Sequence, residues 1–116
     1  MPGYNLAMRN AVNDAIAAQV GGGTNTLEVL TAANAVLATH SNIPSFPASV
    51  NGSTTLTTVA DDVIDANGTA TKVRVTKGGS VNEYGPGEVT FGDPAYVVGG
   101  VSKVTSITIA FPSGGL

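Results

Sequence analysis

The sequence predicts a mainly β protein, an antiparallel β-sandwich of jelly-roll type with one N-terminal α-helix, and three observations carry that reading. A four-residue apolar recurrence occurs once, near the N terminus, and stops at three consecutive glycines. Beyond the glycines the apolar period shortens to two, and short alternating segments recur between turn signals at the spacing of a sandwich. Charged residues make up 11% of the 116-residue chain, against roughly 25% in an average soluble domain. Thr, Ser and Asn, residues of strands and turns, stand in their place. The boundaries follow as a helical arm over 1–20 and a β-sandwich domain over 24–116.

The helix is read from Met8, Val12, Ile16 and Val20, spaced by four, with Ala11, Ala15 and Ala18 beside them. It is predicted over residues 5–19, with Asn5 as its cap and Gly21, Gly22 and Gly23 ending it. A stripe this narrow is marginal as a free helix in water, so it requires a partner surface. The glycines read as a flexible joint, and Met8, Val12, Ile16 and Val20 are therefore the candidate contacts to another subunit or a larger assembly. On this reading, removal of residues 1–20 leaves the sandwich folded.

The first strand spans 26–31, with Leu27 and Val29 on one side, and the second spans 35–41, with Val36 and Ala38 set against Leu37 and Thr39. Pro44 and Pro47 place 43–47 at an edge or in a connection, because proline has no N–H for a ladder. Asn51-Gly52 marks a turn. A Thr-rich strand follows over 53–60, with Leu56 inward and Thr54 and Thr58 as further inward candidates. Residues 61–68 read as a loop closing in a second turn at Asn67-Gly68.

The clearest alternation is at 70–76, where Val73 and Val75 interleave with Lys72 and Arg74. Short strands are expected at 80–84, 88–91 and 96–98, separated by Gly85-Pro86-Gly87, Gly92-Asp93-Pro94 and Gly99-Gly100. The last strand, 102–111, sets Val104, Ser106, Thr108 and Ala110 against Thr105, Ile107, Ile109 and Phe111, and its length makes it central. Residues 112–115 read as a frayed tail.

Composition also limits function. Five basic against eight acidic residues give a net charge of -3, which argues against nucleic acid as a partner because phosphate contacts need clustered positive charge. The chain has no cysteine, so disulfides, thiol catalysis and cysteine metal sites are excluded. Residues 29–60 carry no charge but are broken by polar residues and prolines, so no membrane span is expected. The first residues lack the basic head and apolar run of a signal peptide.

The chemical candidates are few. His40, the single histidine, could act as a base with Ser41 or another serine, but a half-buried strand histidine is the favoured reading. Asp61, Asp62 and Asp65 near Asn67 could offer oxygens to calcium, yet the spacing is not that of an EF-hand, and a solvated turn is favoured. Tyr4, Tyr84 and Tyr96 could line a sugar or partner site, although single exposed tyrosines are common. The glycine triplet lacks the lysine of a phosphate loop. No catalytic residue, cofactor or metal is expected.

The order of these features resembles the small head decoration, or cement, proteins of tailed bacteriophages. The resemblance runs through Arg9-Asn10-Ala11-Val12-Asn13-Asp14-Ala15-Ile16 and the glycine break, then 27–30, Val36-Leu37-Ala38-Thr39 and 46–52. It continues through Ala66-Asn67-Gly68-Thr69-Ala70 into 72–75, and closes with Val97-Val98-Gly99-Gly100 and 104–112. The chain departs from the pattern at His40, where an apolar residue is usual, and lacks an aromatic just before Val73. The resemblance implies a β-sandwich on the capsid exterior of a virion, made in the host bacterial cytoplasm. It further implies a homotrimer that binds the major capsid protein and holds neighbouring subunits together, without catalysis. A tail or baseplate component and a carbohydrate-binding β-sandwich are the alternative readings, and an enzyme ranks below both.

Overall fold

The computed structural model describes residues 5–110. Within them α1 (Leu6–Ala18) is followed by β1 (Thr26–Leu30), β2 (Val36–Ser41), β3 (Ser53–Leu56), β4 (Asp62–Val63), β5 (Gly68–Thr69) and β6 (Lys72–Lys77). Then come β7 (Ser80–Tyr84), β8 (Val89–Phe91), β9 (Ala95–Tyr96), β10 (Val101–Ser102) and β11 (Val104–Ala110). Four strands form one sheet in the order β2-β1-β6-β7, and three form a second in the order β3-β11-β8. The two-stranded ribbons β10-β4 and β5-β9 complete the structure, and every pairing is antiparallel. The chain is an antiparallel β-sandwich with one N-terminal helix.

Alternation along the strands makes the core. Leu27, Val29, Ala38, Val73 and Val75 come from the four-stranded sheet, Leu56, Val89, Ile107 and Ile109 from the three-stranded one, and all are buried in one cluster. Each such side chain contributes about 1.5–3 kcal/mol on leaving water. On the opposite face of the larger sheet, Glu28 and Arg74 are register partners, and the guanidinium Nε and Nη2 donate to Glu28 Oε1 at 3.1 and 3.0 Å. The expected split between apolar and solvated faces of 70–76 is therefore present.

β11 is central, flanked by β3 and β8, as its length predicted. Its alternation is interrupted. The register shifts between Val104 and Ser106, so Val104 and Ile107 are both buried although three residues apart. The extra residue of such a bulge reverses which side faces the core. β3 likewise stops at Leu56: Thr54 faces inward as expected, whereas Thr58 is exposed and Val59 is buried in its place. The loop expected at 61–68 contains β4 and the start of β5, and 96–98 is strand only at its first residue.

The two Asn-Gly pairs differ. Asn51 and Gly52 have φ of 54° and 74°, the left-handed pair of a tight hairpin turn. Gly68 instead lies in β5, where a Cβ would come within 2.8 Å of Leu37 Cδ2. It is there for space rather than for a turn. Phe111, the expected tail at 112–115 and Tyr4 lie outside the described residues.

The helix begins as the sequence predicts, with Asn5 Oδ1 accepting from the Met8 N–H at 2.9 Å. It does not form a separate arm. Ala17 and Val20 belong to the sandwich core, Asn13 is fully buried, and the glycine break is packed rather than free. The Gly22 N–H donates to the Ile43 carbonyl at 2.9 Å, and a Cβ on Gly21 would collide with the Pro44 carbonyl and the Phe46 ring. Lys77 Nζ then caps the end of the helix by donating to the Ala18 and Gly21 carbonyls at 2.7 and 2.9 Å, a position that also favours a cation at the negative end of the helix dipole.

Candidate interaction surfaces

The buried polar groups account for the first chemical candidate. His40 lies in β2 facing the core, with Nδ1 2.8 Å from the Ala60 carbonyl and Nε2 2.8 Å from Ser102 Oγ. A carbonyl only accepts, so Nδ1 carries a proton, and in the neutral imidazole Nε2 then accepts from the serine hydroxyl. Ser102 Oγ in turn accepts from the Tyr96 hydroxyl at 2.7 Å. The partner of His40 is thus Ser102 and not Ser41, which is exposed at the end of β2. A nucleophile must reach a substrate and its base needs an orienting group. Here Ser102 is fully buried and a backbone carbonyl holds the ring, so the trio is a satisfied hydrogen-bond chain inside the core.

The acidic cluster is dispersed by its own contacts. Asp62 Oδ1 accepts from the Val63 N–H at 2.7 Å, and Asp61 pairs with Lys103 at 3.7 Å. Among the described residues no group of three or more His, Cys, Asp or Glu side chains converges to hold a metal ion. Tyr84 and Tyr96 are buried rather than displayed. Burial, with Glu88 nearby, pushes the Tyr84 hydroxyl from 10.0 up to about 12. Burial also raises that of Tyr96, opposed by its Ser102 hydrogen bond. Among the described residues, no helix is long and apolar enough to cross a membrane.

A cleft of about 370 Å³, lined by Asp14, Ala17, Phe46 and Lys77, lies between the last turns of α1 and residues 45–48. Its two charged residues make contacts within the chain. Asp14 Oδ1 accepts from the Ser49 N–H at 2.7 Å, and Lys77 holds the helix carbonyls as described. The cleft is the seam along which the helix docks.

Part of what the fold leaves on its surface is apolar. α1 docks through polar side chains: Asn13 Nδ2 donates to Ser49 Oγ and to the Ile109 carbonyl at 2.8 and 3.0 Å, and Asn10 Oδ1 accepts from the Gly52 N–H at 2.7 Å. Val12 precedes Asn13 by one residue, about 100° round the helix axis, so this docking turns the predicted stripe to the side. Met8, Val12 and Ile16 are 48%, 39% and 39% exposed, while Val20 is completely buried. Val20 is thereby removed from the candidate contacts and assigned to the core. The sequence period could not separate the two, since it records spacing and not which side the body occupies.

A second apolar surface is assembled from two separate segments of the chain. Val63 and Val101 are cross-strand partners in the β4-β10 ribbon, and both are exposed, as are Val97 and Val98 in the adjoining turn. That turn is tied to the ribbon by the Gly99 N–H donating to the Ile64 carbonyl at 3.0 Å. The Asp65 N–H reaches the Leu37 carbonyl, which puts this valine cluster toward one end of the larger sheet. The helix terminus meets the other end at Lys77. The available sequence signal was three valines, Val97, Val98 and Val101, around Gly99-Gly100, and Val63 joins them only through strand pairing.

Four of the five cations are engaged within the chain, Lys72 with Glu83 at 3.6 Å, Arg74 with Glu28, Lys103 with Asp61 and Lys77 with the helix carbonyls, whereas Arg9 Nε is buried without a hydrogen-bond partner. No protein-family model matches the chain, and no curated protein or solved structure matches it significantly.

Proposed function

We propose that the protein is a structural virion component that binds the outer surface of an assembled bacteriophage capsid and stabilises it by bridging capsid subunits. In this reading the major capsid protein is its partner and it acts as a homotrimer. The observation that carries the reading is the pair of exposed apolar surfaces, Met8, Val12 and Ile16 on the helix and Val63, Val97, Val98 and Val101 toward the far end of the sheet. Exposed apolar clusters rimmed by polar residues are contact sites in soluble proteins. Two of them, held apart by the sandwich, suit a molecule that touches two neighbours at once. The resemblance in motif order to head decoration proteins supports the same reading.

Co-sedimentation of the purified protein with phage capsids stripped of it is the test. Saturable binding is expected, weakening little between low and moderate salt because Lys72, Arg74, Lys77 and Lys103 are already paired. Protein that stays in the supernatant at every salt concentration overturns the reading. Light scattering tests the trimer, and a monomer of 11.5 kDa at high concentration removes that part of it.

A further inference from the structure

We infer that α1 pairs with α1 of a second copy of this chain, antiparallel, with Val12 on the two-fold axis. The exposed flank of the helix reads Asn5, Met8, Val12, Ile16, Gln19, and this order is symmetric about Val12. Met8 and Ile16 lie four residues to either side, and Asn5 and Gln19 seven. When two such helices cross antiparallel at Val12, Met8 of one copy stands level with Ile16 of the other, and Asn5 stands level with Gln19. Apolar groups meet apolar groups, and amides meet amides at both ends.

Electrostatics selects the same arrangement. Antiparallel alignment brings the positive N-terminal end of each helix beside the negative C-terminal end of the other, whereas a parallel pair sets like ends together. Arg9, the nearest charge to the flank, stands level with Ala15 of the second copy, so no like charges face each other. A helix of 13 residues is about 20 Å long, enough for the three apolar layers. Docking through Asn10, Asn13 and Asp14 leaves this side open to solvent.

Three aliphatic side chains from each copy fall well short of the ~800 Å² that each partner buries in a standard interface. The pair is therefore weak and rapidly exchanging, and it competes with any other partner for the face of Met8, Val12 and Ile16. Its two-fold symmetry makes it a different contact from one that closes a trimer. The inference does not depend on capsid binding, and its test uses the purified chain alone.

The chain has no cysteine, so single cysteines report the register directly. Val12→Cys is expected to form a disulfide-linked dimer with diamide about tenfold faster than Val81→Cys, an exposed valine on β7, because pairing raises the effective concentration of the thiols. Met8→Cys and Ile16→Cys are each expected to cross-link slowly alone and rapidly when mixed. Adding Val12→Asp to both should abolish that mixed product by placing like charges on the axis. Circular dichroism confirms that each variant is folded before oxidation. Equal rates for Val12→Cys and Val81→Cys overturn the pairing, and so does self-linking of Met8→Cys as fast as the mixture.

Discussion

Asn13 Nδ2 donates to the Ile109 carbonyl at 3.0 Å, joining the middle of the helix to the central strand across 96 positions of sequence. The same amide donates to Ser49 Oγ at 2.8 Å, so one buried side chain closes the helix onto two parts of the sandwich. Asn13→Ala leaves Ser49 and the Ile109 carbonyl without their donor, and an unsatisfied buried group costs about 1–3 kcal/mol. Urea denaturation should show a loss in that range, and an unchanged midpoint would mean that the helix docks by other contacts.

Val20 and Val12 separate core from surface within one apolar series. Val20→Ala creates a cavity in the core and is expected to cost about 2 kcal/mol. Val12→Ala should stay within about 0.5 kcal/mol, since it lies at the surface and alanine is the better helix former. Deletion of residues 1–20 removes Ala17, Val20 and the Asn13 bonds together. The truncated sandwich should melt well below the full chain and less cooperatively, which calorimetry would show.

Gly21 and Gly79 look alike in sequence and should respond oppositely to alanine. A Cβ on Gly21 meets the Pro44 carbonyl and Phe46 Cδ1, the latter at 2.9 Å, and backbone cannot give way, so a loss of about 2 kcal/mol is expected. At Gly79 a Cβ has open space, and alanine there should be neutral or stabilising by up to about 1 kcal/mol through the unfolded chain. Thermal melts of the two variants decide it.

Alkaline unfolding should reflect the buried tyrosines. The Tyr84 hydroxyl is raised from 10.0 to about 12 in the folded state, so between those values the folded chain retains a proton that the unfolded chain has lost. Its contribution is complete below pH 10 and is lost as pH rises through 12. Solvent screening of the partly hydrated hydroxyl reduces the linked loss to about 1 kcal/mol. Denaturation midpoints measured from pH 9 to 12 should fall in Tyr84→Phe less than in the parent.

Ser102→Ala tests the buried chain of hydroxyl and imidazole. It strands His40 Nε2 without a donor and the Tyr96 hydroxyl without an acceptor, with an expected loss of about 2 kcal/mol. Pairing it with Tyr96→Phe should recover part of that, because the second orphan disappears. A double-mutant cycle reads the recovery directly.

Local rules were enough to read the class of fold and many of its elements. The Asn5 cap, the helix that ends before the glycines, the Val73 and Val75 alternation and the central last strand are written in periodicity and turn residues, which act within a few positions of the chain. The sequence also established the apolar spacing at Met8, Val12, Ile16 and Val20. Tertiary structure alone decided which of these are covered, because that depends on where Ser49, Gly52 and Ile109 stand when they take the polar side chains of the helix. The same holds for the bulge after Val104, which reverses the phase of β11, and for Gly68, whose reason is the methyl groups of Leu37. His40 acquires its partners from Ala60 and Ser102, and Val63 meets Val101 only when their strands pair. Contacts between residues tens of positions apart leave no periodic trace in a single chain, and they determine which of its apolar residues hold it together and which remain for others.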